Sequence, residues 1–104
     1  MARISGNIQP NGTKTSNTSN SKNDFSVDFN EYTQMYTITY DKPFKEVPSV
    51  LVNRTNQEIG PNINVNITTA INPGKEYSTI QFWNNDENNY EGFNFCFAAF
   101  GDLA

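Results

Sequence analysis

Histidine is missing from the chain, cysteine occurs once, and Lys plus Arg number 7 against 11 Asp plus Glu. Each scarcity excludes a class of function. Without an imidazole there is no Ser-His-Asp or Cys-His catalytic arrangement and no histidine-based zinc site. One thiol, Cys96, makes neither an intrachain disulfide nor a paired-cysteine motif, and it reads as a small buried group. The seven cations are scattered and the net charge is −4. Phosphate-backbone binding needs clustered Lys and Arg, so no nucleic-acid partner is expected. The apolar runs are a few residues long, well short of the ~20 that cross a bilayer, so no membrane insertion is expected. The opening Met1-Ala2-Arg3-Ile4-Ser5-Gly6 has no apolar stretch of the kind a cleaved secretion signal carries. The expectation is a soluble product, cytoplasmic or released by a non-classical route.

Acidic residues are present but poorly placed for chemistry. Asp41, Glu46, Glu58, Glu76 and Glu91 fall in turn-like stretches and read as solvated charges rather than as the facing carboxylate pair of a glycosidase. Asp28, Asp86 and Glu87 lack the ladder of oxygen ligands that a calcium loop supplies. The expectation is a protein that is no enzyme, with no metal and no cofactor. A length of 104 residues fits one domain.

What the chain has in excess is asparagine, at 17 residues. Asn is disfavoured in helix interiors and strands, and favoured in turns and wherever a short amide bonds a backbone group or a ligand hydroxyl. Two readings are open: codon bias in an AT-rich genome, or a polar recognition surface. The Asn-x-Ser/Thr sequons at Asn11, Asn17, Asn53 and Asn66 read as by-products of the same excess.

Alternation with period two dominates, and no helical period is sustained. Apolar residues alternate at Phe25, Val27 and Phe29; at Tyr36, Ile38 and Tyr40; at Val50 and Val52; at Ile63, Val65 and Ile67; at Ser78, Ile80 and Phe82; and at Phe93, Phe95, Phe97 and Ala99. Turn chemistry separates these runs at Asn11-Gly12, Asp41-Lys42-Pro43, Gly60-Pro61, Asn72-Pro73-Gly74 and Asn84 to Asn89. The fold expected is all-β, a small antiparallel β-sandwich of six or seven strands. Residues 1–24 supply an N-terminal strand and a Ser/Thr/Asn-rich loop of the same domain, and residues 25–104 supply the sandwich body. The stretch Asn11 to Asn23 carries no core residues and is expected to be a loop or linker. In the run Asn62 to Thr69, one face should be buried and the other, with Asn62, Asn64 and Asn66, wet. In the last strand Phe93, Phe95 and Phe97 should face inward. Asn94, Cys96 and Ala98 then leave a small-residue outer face that a second chain can approach closely.

Three segments in order resemble the H-type lectin domain, a small β-sandwich first known from snail agglutinins. They are Tyr36 to Val52, with Asp41-Lys42-Pro43-Phe44 at its turn; Ile63-Asn64-Val65 through Asn72-Pro73-Gly74 to Tyr77; and Phe82-Trp83-Asn84-Asn85 followed by Tyr90 and Phe93 to Phe100. The resemblance covers residues 25–104. It implies a homotrimer or a dimer of trimers that binds glycans, of N-acetylgalactosamine type, at shallow sites near subunit interfaces. Trp83 and Asn84 fall at the family's sugar-contacting Trp-polar pair, where a histidine commonly follows the Trp. Asn64 falls about where the family carries a sugar-bonding arginine, and Arg54 is a candidate to replace it. A second resemblance is carried by Gly6-Asn7-Ile8, Asn11-Gly12-Thr13, Phe25-Ser26-Val27 and Tyr36-Thr37-Ile38-Thr39. It is to β-domains of bacterial and phage-tail-associated proteins, and it implies a non-catalytic structural or oligomerisation module of a phage tail, injection device or surface assembly.

The candidate sugar contacts are therefore Trp83, Asn84, Asn85, Asn64, Arg54 and Asp86. Sugars stack their C–H faces on aromatic rings and exchange hydroxyl hydrogen bonds with amides and carboxylates, and the Trp83 loop has both chemistries. The competing reading is that Trp83 caps the sandwich core and that the asparagine face is plain solvated strand.

Overall fold

The computed structural model describes residues 1–17, 24–55 and 66–104. Among them are nine strands: β1 (Ala2–Ile8), β2 (Lys14–Asn17), β3 (Phe25–Asn30), β4 (Met35–Tyr40), β5 (Ser49–Arg54), β6 (Ile67–Asn72), β7 (Tyr77–Asn84), β8 (Asn89–Tyr90) and β9 (Phe95–Gly101). Every pairing is antiparallel. One sheet has the order β2-β1-β9-β5; the other has the order β3-β4-β7-β6, with β8 added on β7. The all-β sandwich is as the alternation predicts. No helix among the described residues is long and apolar enough to cross a membrane.

The alternation becomes the core directly. Tyr36, Ile38 and Tyr40 of β4, Ile80 and Phe82 of β7, Ile4 and Ile8 of β1, and Phe95, Phe97 and Ala99 of β9 are all buried between the sheets. Their rings interlock edge-on: Tyr36 meets Phe95 at 4.8 Å between centroids, and Phe25 meets Phe97 at 4.9 Å. Aromatic area is what lets so aliphatic-poor a chain fill an interior, since each ring buries ~150–250 Å². The two core tyrosines carry hydroxyls that need partners, and they find them at opposite ends of β4. Tyr36 donates to the Pro10 carbonyl at 2.5 Å, and the Tyr40 hydroxyl bonds Ser78 Oγ at 2.7 Å. Burial pushes the Tyr36 phenol up to about 12 and raises that of Tyr40 as well.

Two expectations need correction. Lys14–Asn17 lies in the stretch expected to be loop, yet it forms β2 at the edge of the first sheet. An edge strand needs only backbone pairing, not an apolar face, so a polar segment qualifies. The hairpin partner β8, two residues long, is likewise too short to leave an alternation. The strand expected over Asn62 to Thr69 overlaps β6 only from Ile67, and β6 runs on to Asn72, where it pairs with Thr79. Ile67 is half-buried but Thr69 and Ile71 are exposed, because β6 is the outer strand of its sheet and its inward face is incompletely covered. Asn62, Ile63, Asn64 and Val65 lie outside the described residues.

Candidate functional site

Strand directions collect the chemistry at one end of the sandwich. Tyr36 opposes Ile80 and Phe29 opposes Tyr36, so the β3–β4 turn and the end of β7 emerge together. Ile8 and Arg54 both oppose Phe95, which brings the β1–β2 turn and the end of β5 to the matching end of the other sheet. The Tyr36–Pro10 bond ties the two sheets together there. Gly92 makes this approach possible: a Cβ on it would lie 2.7 Å from the Tyr36 hydroxyl and 2.9 Å from the Pro10 carbonyl oxygen.

The two hairpins at this end of the second sheet are built alike. In each, four residues separate the strands, 31–34 and 85–88. In each, an asparagine closes the preceding strand and its Oδ1 accepts two backbone N–H groups: Asn30 from Tyr32 and Thr33, and Asn84 from Asp86 and Glu87. The last loop residue of each, Gln34 (φ 59°) and Asn88 (φ 55°), is left-handed. Asn suits the first position because its side chain reproduces a backbone turn.

This construction fixes the role of Asn84. Its backbone pairs with Asn89, its side chain is buried at 4% exposure, and its Nδ2 donates to Glu91 Oε1 at 3.2 Å. Expected as a sugar contact, it is instead engaged on both amide atoms inside the hairpin.

Trp83 points the other way. Alternation along β7 turns Phe82 into the core and Trp83 onto the outer face, with Thr68 of β6 on one side and Tyr90 of β8 on the other. The Trp83 and Tyr90 rings meet edge-on, 4.8 Å between centroids and 74° between planes. Trp83 is half-buried by its neighbours and Tyr90 is 43% exposed. Asn85 borders this pair: its Nδ2 donates to Thr68 Oγ1 at 2.9 Å and to the Asn66 carbonyl at 3.2 Å. Asp86 Oδ2 accepts from Asn66 N at 3.2 Å. These bonds lash the hairpin to the start of β6 and hold an amide next to Thr68, the cross-strand neighbour of Trp83, with a carboxylate one residue further on.

Comparisons with protein-family models, curated proteins and solved structures find no match. The functional reading therefore stands on this geometry.

Of the candidate contacts, Trp83 has Tyr90 on one side and Thr68 on the other, two residues that sequence reasoning did not select, and Asn85 and Asp86 are bonded to Thr68 and Asn66 on the second side. The available signal for Tyr90 was its place just after the Asn84 to Asn89 turn, where a hairpin returns an aromatic opposite Trp83. Arg54 shares this end but occupies the other side of β7. Its guanidinium lies over the Phe93 ring at 5.3 Å, and Phe93 packs edge-on against the core residue Phe82. Asn64 lies outside the described residues. Among the described residues, no three His, Cys, Asp or Glu side chains converge as a metal site would require. Cys96 is half-buried with its thiol directed to the Asn53 carbonyl at 3.6 Å.

Proposed function

We propose that the protein is a carbohydrate-binding lectin whose sugar contacts centre on the Trp83–Tyr90 pair. The observation that carries the reading is the outward Trp83 ring, edge-on to Tyr90 and flanked by Thr68, to which Asn85 is bonded, with Asp86 following in the same loop. A pyranose ring stacks on such an aromatic surface, while its hydroxyls bond amide and carboxylate atoms at the border. With Trp83 half-buried and Tyr90 43% exposed, a sugar there would make weak single contacts. Useful strength then comes from several sites on one assembly, and linked sites raise avidity by ~10²–10⁴ without any new contact.

The likeness to H-type lectins supplies the assembly, a homotrimer or a dimer of trimers, and N-acetylgalactosamine-type glycans as first ligands. The outer face of the first sheet supports such packing. Leu51, 64% exposed, stands opposite the half-buried Ala98, so an apolar side chain borders a small one. Small residues allow a second chain close approach, and the same face serves the other reading, a structural oligomerisation module of a phage tail or surface assembly.

A glycan array probed with the protein and with Trp83→Ala tests the lectin reading. Signal on a defined set of glycans that the variant loses supports it. An assembled wild type silent across the array favours the structural module.

A further inference from the structure

Sequence reasoning passed over the hairpin that matches the Trp83 loop. Around the β3–β4 turn the structure has an open recess of about 440 Å³ lined by Asn11, Phe29, Asn30, Glu31 and Tyr32. That volume lies within the ~300–1,000 Å³ of small-molecule sites. Tyr32 stands at its rim, 92% exposed, and Phe29 lines it while packing against Tyr36 at 4.7 Å between centroids, the rings tilted by 38°.

The polar groups there are sorted by the turns that hold them. Asn11 Oδ1 accepts from Thr13 N at 3.1 Å, and Asn30 Oδ1 accepts from Tyr32 N at 2.9 Å and Thr33 N at 3.1 Å. Asn30 Oδ1 is thus filled by backbone and Asn11 Oδ1 half-filled, and among the described residues the two Nδ2 groups remain as donors. Glu31 supplies the one carboxylate of the lining. A ligand for this set must both accept from amides and donate to a carboxylate, next to aromatic rings. An anion is opposed by Glu31, and a simple cation has nothing to offer the two amide donors. A neutral polyol with adjacent hydroxyls satisfies all of them.

We infer that this recess is a second saccharide subsite, taking a neutral pyranose unit that stacks on Tyr32 and bonds Glu31, Asn11 and Asn30. The inference rests on the reading that this end of the sandwich takes glycans. Asn30 sits two strands from β7 and about two residues short of Trp83 in register. With strands ~4.8 Å apart and ~3.4 Å rise per residue, the two backbones lie roughly 12 Å apart. A linear oligosaccharide longer than that backbone separation would engage both places, and such oligomers should then bind more tightly than their monomers.

The test is an NMR titration of the whole protein with N-acetylgalactosamine, N-acetylglucosamine, galactose and linear oligomers of the latter two, with choline chloride as the cationic comparison. Amide resonances of residues 11–13 and 31–34 report the recess, and the Trp83 indole reports the other surface. A neutral saccharide is expected to shift the recess resonances in the wild type and in Trp83→Ala. Tyr32→Ala and Glu31→Gln, both at exposed positions, should weaken that response about tenfold or more, or 1.4 kcal/mol upward. Shifts at the indole alone overturn the recess assignment and leave the Trp83 reading standing. Recess shifts with a silent indole do the reverse. Recess shifts with choline and none with saccharides show a cation site and overturn the inference, and silence at both places overturns both.

Discussion

Asn30 and Asn84 hold equivalent positions in two hairpins, each closing a strand with its backbone while its Oδ1 caps the two following turn amides. The equivalence accounts for part of the asparagine excess as turn construction. Asn84 is the more heavily engaged, through its added bond to Glu91. Asn84→Ala should cost about 1–3 kcal/mol in urea unfolding, and Asn30→Ala about 1 kcal/mol, because only the first empties a buried site and also leaves the half-buried Glu91 without its amide donor. Asn84→Asp keeps both backbone bonds but faces a carboxylate with Glu91. Its deficit at neutral pH should shrink on acidification, whereas that of Asn84→Ala should not.

Gly92 carries a second prediction. Gly92→Ala drives a methyl against the Tyr36 hydroxyl and the Pro10 carbonyl, so the bond joining the two sheets must shift or break. The loss should be about 1–3 kcal/mol. Combining it with Tyr36→Phe should cost less than the sum of the two, since the phenol that the methyl meets is gone.

Alkaline pH should probe the same tyrosine. Its phenol titrates near 10 in an unfolded chain and is pushed up to about 12 by burial in the fold. The neutral form is favoured in the folded state, so the stabilisation is fully present below pH 10 and is lost as pH rises from about 10 through 12. The loss is on the order of 2 kcal/mol. Tyr36→Phe should flatten that part of the stability profile, leaving the smaller contribution of Tyr40, whose phenol is also raised.

How far the sequence reached depended on which force shaped each element. Tyr36, Ile38 and Tyr40, and Phe95 with Phe97, were legible because burying one face of a strand writes a period of two. The strand β2 was not, since Lys14 and its neighbours join the sheet through backbone bonds that leave no mark on side-chain pattern. Asn84 was legible as special, but its turn-capping role was not, because an amide that caps a turn and an amide that holds a sugar are the same residue type. The recess was invisible because Asn11 and Asn30 approach only when the two sheets close on each other through Tyr36 and Pro10.

Assembly is open to direct weighing. If the small-residue face of the first sheet packs against other copies, light scattering should give a mass near three or six times 11.7 kDa. Leu51→Glu, at an exposed position, should then shift the protein toward monomer with its fold intact. A monomeric wild type at the same concentration contradicts the assembly and with it the multivalent lectin.

The central claim is that sugars meet the Trp83 ring. Trp83 is the chain's only tryptophan, so its indole N–H gives a single, unambiguous resonance. On titration with the glycans selected by an array, that resonance should move and saturate together with the amides of Asn85 and Tyr90, and Tyr90→Ala should weaken the response. An indole resonance unmoved by glycans that demonstrably bind the protein would contradict the account.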